Sequence, residues 1–201
     1  MAGLRLSPEH RRTQLLDVAK TIIERDGVGN CTIDRVSTEA QVTAQLVHKY
    51  FGTRTSLLHA LFAREDDAYE TEIARRLVAA QSFEDVVRVF VTANVDLLSP
   101  ATAIGQLRGL PEFGAARAER ERSSRASAQK VLTRSFRLEH RTTDHMMEFV
   151  LRLGSAASIE AATIAAQRGN GERTAHIERT VRFILAGIRE LANEPIDVNR
   201  A

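Results

Sequence analysis

Proline occurs four times in this chain, at positions 8, 100, 111 and 195, and each lies between stretches whose apolar residues recur at helical spacing. Proline lacks a backbone donor and clashes with the preceding turn, so it starts helices or follows them and does not sit inside them. The long proline-free segments can therefore be helical from end to end. In SPEHRRTQLLDVAKTIIERDG, Ser7 is placed to cap, Pro8 takes the first helical position and Gly27 follows the last turn. Leu15, Leu16, Val18, Ala19, Ile22 and Ile23 then line one face.

The same punctuation continues along the chain. Thr32 caps a short helix through Ala40, Thr43 caps another through Phe51, and Thr53 opens a long one. Ser82 and Asp85 form a capping pair before a helix that Ser99–Pro100 ends. A short helix is expected over 101–109 and a charged one over 115–139. Two long helices, 143–167 and 173–192, are separated by RGNG. Their stripes are Met146, Phe149, Val150, Leu153, Ala157, Ala161 and Ile164, then Ile177, Val181, Ile184, Leu185, Ile188 and Leu191. No strand alternation or internal repeat is visible, and the fold class is all-α.

Composition narrows the chemistry. The single cysteine, Cys31, excludes an intrachain disulfide and reads as a small buried residue. The six histidines show no metal-ligand spacing, and neither a G-x-S-x-G motif nor a glycine-rich phosphate loop occurs, so no enzymatic role, metal or cofactor is expected. No signal-like apolar core and no uncharged apolar run of membrane length is seen, which points to a cytoplasmic protein with no membrane partner. Net charge is +2, but residues 1–64 hold nine Lys/Arg against six Asp/Glu. A positive excess at that end is compatible with nucleic acid. The arginine-rich 117–127 stretch is interleaved with glutamates and reads as a solvated helix face.

One longer helix followed by two short helices with a tight turn between them is a helix-turn-helix unit. Ile33, Val36 and Ala40 face inward, Val42 plugs the turn, and Val47 and Phe51 hold the second short helix onto the first. Outward remain Thr43, Ala44, Gln45, Leu46, His48 and Lys49. The N-terminal part of such a helix enters the major groove, where Gln45 can pair with adenine and Ala44 or Leu46 can touch a thymine methyl. His48, Lys49 and Tyr50 are expected where phosphates pass, with Arg54 at the start of the next helix and Thr32 offering a hydroxyl to another phosphate.

Residues 10–58 resemble the DNA-binding domain of the TetR family of bacterial transcriptional repressors. The resemblance rests on Thr32-Ile33, Ala40-Gln41-Val42-Thr43, Val47-His48-Lys49-Tyr50-Phe51, Thr53-Arg54 and Leu57. Gln41 stands where the family has a turn glycine, His48 where tyrosine is usual, Arg54 where lysine is usual, and Leu46 where Thr or Ser is common. The resemblance implies a DNA-binding domain over 1–55 and a helical ligand-binding and dimerisation domain over 56–201. It further implies a homodimer formed through the last two helices, a palindromic double-stranded operator and a small-molecule effector that releases the repressor. An effector cavity is then expected among 65–80, 83–98, 101–113 and 125–153. Candidate lining residues are Tyr69, Phe90, Asn94, Leu97, Leu107, Phe113, Phe136, Met146, Phe149 and Arg152. Two prolines and three glycines between Pro100 and Gly114 suggest a flexible edge. The alternative reading is an architectural or division protein that uses the same fold without an inducer.

Overall fold

The computed structural model describes residues 7–139, 143–168 and 172–192, with the backbone alone over 115–127 and at 168 and 192. The arginine-rich stretch 117–127, the RGNG break and Pro195 lie outside the described side chains or residues. Among the described residues there are nine α-helices and no strand. They are α1 (Pro8–Asp26), α2 (Ile33–Glu39), α3 (Ala44–Phe51), α4 (Arg54–Ala79), α5 (Phe83–Leu98), α6 (Ala103–Arg108), α7 (Gly114–Glu139), α8 (Asp144–Arg168) and α9 (Arg173–Ala192). Short 3-10 turns at Val28–Asn30 and Pro111–Phe113 were not foreseen.

The caps form as the sequence indicates. Ser7, Thr32, Thr43 and Thr102 each accept the backbone N–H three residues ahead, satisfying a donor that the first helical turn leaves open. Ser82 and Asp85 complete a reciprocal capping box.

The chain separates into two compact units that differ from a simple cut at residue 55. The first comprises 1–70 and 100–114, and the second 71–99 and 115–201. The stretch 100–114 joins the first unit because its apolar groups are buried there: Ala103, Ile104, Leu107 and Phe113 are all below a tenth exposed. Phe113 sits 4.5 Å from the His59 ring and 4.8 Å from the Phe62 ring, between centroids. The expected flexible edge is thus a packed segment.

In the second unit α5, α8 and α9 pack on one another around Val87, Val91, Val150, Val181 and Ile184, with Phe83 edge-on to Phe136 at 5.3 Å. Arg88 pairs with Glu178, and Arg173 with Asp96, tying α5 to α9. A Cβ on Gly154 would lie 3.2 Å from Ile184, so glycine there permits the close approach of α8 and α9. The buried side of α8 is Met147, Val150, Leu151, Ser158 and Ala162, while Phe149 and Leu153 are about half exposed. The expected stripe through Phe149 and Leu153 is therefore rotated, because α8 is apolar on more than one side and spacing alone cannot choose between two faces. Segment Asp144–Gln167 also has the length and apolar composition of a membrane-crossing helix, against the expectation that no such run occurs. A run of alanines outweighs its few charges, and one face of the helix is packed against α5 and α9.

Candidate nucleic-acid interface

The interface is built on α2 and α3. Val36, Val47 and Cys31 are fully buried and Ile33, Ala40 and Phe51 nearly so, which fixes the inner faces of both helices. Between the helices, Gln41 has φ 55°, the left-handed conformation that glycine adopts without strain. The Val42 N–H reaches Ser37 O at 2.9 Å and the Gln41 N–H reaches Thr38 O at 3.1 Å, so α2 ends in a Schellman motif with glutamine at its left-handed position. The turn keeps the geometry that a glycine would give.

With one face locked, the other is set. Thr43, Gln45, His48 and Lys49 are exposed, whereas Ala44, Leu46 and Tyr50 are half-buried. Thr43 Oγ1 accepts the Leu46 N–H at 3.2 Å. His48 Nδ1 donates to the Gly52 carbonyl at 2.6 Å, Gly52 ending α3 at φ 73°. Thr32 is exposed, and its hydroxyl oxygen caps Arg35 N–H at 3.2 Å.

Arg54 is placed differently from the expectation. Its Nε donates to Cys31 O and its Nη2 to Val28 O, both at 2.7 Å, so the guanidinium is turned onto the α1–α2 connector. Arg12, which the sequence reading passed over, lies with its guanidinium 5.3 Å above the Phe51 ring and brings a cation from α1 to the end of α3. Positions so far apart in sequence carry no local signal of that contact. Arg25, Asp26, Arg35 and Glu39 close a ring of ion pairs between α1 and α2 at 2.5–3.2 Å. Hydrogen bonding from Arg25 above all, with a lesser contribution from Arg35, holds the Glu39 carboxyl below its usual range against an opposing desolvation. Burial pushes the Cys31 thiol up to about 11, which keeps it protonated and structural.

A helix-turn-helix with a polar outer face on its second short helix is the feature that comparison tests. The family model described as bacterial regulatory proteins, tetR family, matches residues 15–61. Over that stretch, under a quarter of its length, the chain is similar to this family. The HTH-type transcriptional regulator HbdR of Aromatoleum sp. is 32% identical over 69 residues, covering 34% of this chain and 30% of that one. The HTH-type transcriptional regulator BetI of Paraburkholderia phymatum is 30% identical over 90 residues, covering 44% and 46%. The chain thus spans less than half the length of these relatives. Solved structures extend the fold across nearly the whole molecule. The fatty acid degradation regulator FadR of Bacillus halodurans superposes with a TM-score of 0.68 at 16% identity, covering 92% of this chain and 98% of that one. A TetR-like regulator of Rhodococcus sp. RHA1 gives 0.64 at 16% identity, covering 92% and 99%.

The expected effector residues are divided between the two units. Leu107 is fully buried in the first unit. In the second, Arg152 is largely exposed beside Glu148, and Phe149 is half exposed, so both point away from the core that α8 shares with α5 and α9. Phe90, Leu97 and Met146 are half-buried, and Met146 packs against that core. Asn94 has the partner that a polar group on an apolar stripe requires, its Nδ2 donating to the buried Ser158 Oγ at 2.9 Å.

Proposed function

We propose that the chain is a dimeric, sequence-specific transcriptional repressor that α3 holds to a palindromic operator and that a small molecule releases. The observation that carries this reading is the outer face of α3. Its inner face is locked by Val47 and Phe51, and Thr43, Gln45, His48 and Lys49 are left to meet a major groove. In that reading Gln45 reads adenine, Ala44 and Leu46 contact a thymine methyl, and Lys49, Tyr50 and the Thr32 hydroxyl meet phosphates.

Two operator half-sites call for two copies of the reader. Support for a homodimer through α8 and α9 comes from the apolar groups these helices leave outside, namely Phe149, Leu153 and Ile159 on α8 and Phe183 on α9, the last 72% exposed. An effector binding the second unit among Phe90, Leu97 and Met146 acts by favouring one arrangement of the two reading helices over another, which requires different affinity for the two states.

Selection of binding sites from random duplex DNA by the purified protein tests the reading. The expected product is a palindrome with half-sites about one helical turn apart. Gln45→Ala then relaxes preference at one base pair of each half-site by about 1–3 kcal/mol, whereas Lys49→Ala weakens all sequences alike and lowers the salt slope by roughly 0.9. A protein that enriches nothing, effector-free, ends this proposal.

A further inference from the structure

The α1–α2 connector is held from two directions. From α4, Arg54 sends parallel donors to Val28 O and Cys31 O at 2.7 Å each. From α6, Gln106 Oε1 accepts the Val28 N–H at 2.8 Å, and its Nε2 donates to Ile23 O and Pro100 O at 2.9 Å. Both polar backbone groups of Val28 are therefore gripped, one by each helix. The residue that follows the second carbonyl, Thr32, is the N-cap of α2, and α2 is the surface on which α3 packs.

Arginine is the side chain suited to this task. A planar guanidinium offers two parallel N–H groups from one edge, whereas a lysine ammonium is a point donor on a flexible stem and cannot hold both carbonyls in the same way. Gly27, at φ 90°, supplies the bend that turns the Val28 N–H toward Gln106.

We propose that Arg54 is a positioning residue: with Gln106 it clamps Val28 and so fixes where α2, and through it the reading helix α3, stands. The segment 100–114 thereby bears on DNA recognition through one peptide neighbourhood. This inference rests on the DNA-binding reading for its consequence but not for the clamp itself.

Cys31 gives a readout independent of DNA, because its thiol is fully buried at the clamped connector and reacts only when that connector opens. The test compares Arg54→Lys, Arg54→Ala, Gln106→Ala and the Arg54→Lys/Gln106→Ala pair in the full chain. Measurements are made at a temperature where circular dichroism shows each variant folded. The expected result is faster alkylation of Cys31 by N-ethylmaleimide in every variant. Affinity for the selected operator falls about tenfold in Arg54→Lys, with an unchanged dependence on salt. The double variant falls short of the product of the two single effects, since both act on Val28.

Wild-type affinity and Cys31 reactivity in Arg54→Lys overturn the proposal. So does a salt slope lowered by about 0.9 in Arg54→Ala, the mark of a lost phosphate contact. A purely structural role lowers the melting temperature and leaves affinity of the folded protein intact, which also overturns it. Should the wild type select no DNA, the repressor reading fails while the Cys31 rates still decide whether the clamp exists.

Discussion

The outer faces of the two units differ in chemistry. On α3 every fully exposed residue within 43–49 is polar, and the buried ones, Val47 and Phe51, all point inward. On α8 and α9 the inward side is just as apolar, yet Phe149, Leu153, Ile159 and Phe183 remain outside. A face that meets a wet, charged groove and a face that meets another apolar surface require different chemistry. The contrast is what supports the proposed partners, a nucleic acid for one face and a second copy for the other.

The largest expected effect breaks the contrast at the apolar face. Phe183→Glu puts a carboxylate where the proposed dimer buries a phenyl ring. It should weaken self-association by about 3 kcal/mol, or more than about a hundredfold, while far-UV helicity is retained. Sedimentation equilibrium over a concentration series measures it, and an unchanged dissociation constant removes this face from the interface.

A smaller effect sharpens the contrast at the polar face. Gln41 is exposed and sits at φ 55°, so Gln41→Gly relieves a left-handed conformation at the cost of a more flexible unfolded chain. The net gain should be about 0.5–1 kcal/mol, raising the melting temperature by about 1–3 °C. A lower melting temperature would show that the glutamine side chain itself supports the turn.

The smallest effect concerns the ion-pair ring between α1 and α2. The Glu39 carboxyl is held below its ordinary value of 4.5, first by the Arg25 hydrogen bond, so it is the charged form that favours folding. That contribution is present above pH 4.5 and is lost as pH falls through the lower folded-state value. Wild type should therefore melt slightly above Glu39→Gln near neutral pH and converge with it in acid. Curves that stay parallel at every pH show that the ring contributes nothing through this carboxylate.

Most of the fold was legible because its signals are local. Threonine, serine and proline at helix starts mark themselves within three or four residues, and buried stripes such as Leu15, Leu16, Ala19, Ile22 and Ile23 repeat at helical spacing. The exposed face of α3 was legible for the same reason, since naming its core residues leaves the others outside. What escaped depends on distant pairs. Nothing local to Gln106 says that it caps Val28, and the charge of Arg54 suggested a phosphate where the geometry supplies two carbonyls. On α8 the residues were found but not their direction, because two apolar faces fit one spacing.

The discontinuity of the first unit also has a consequence for how the protein is made. Its chain reaches Glu70, leaves, and returns only at Pro100–Gly114, where Leu107 and Phe113 fill buried places. At a synthesis rate of about 5–20 residues per second, the ribosome needs roughly 2–9 s more after Glu70 before Gly114 is joined. During that interval the nascent first unit exists without its last wedge, with the sites later covered by Leu107 and Phe113 open to water or to a chaperone. Final closure of that unit therefore follows the synthesis of α5, so the chain is committed to its second half before the first is complete.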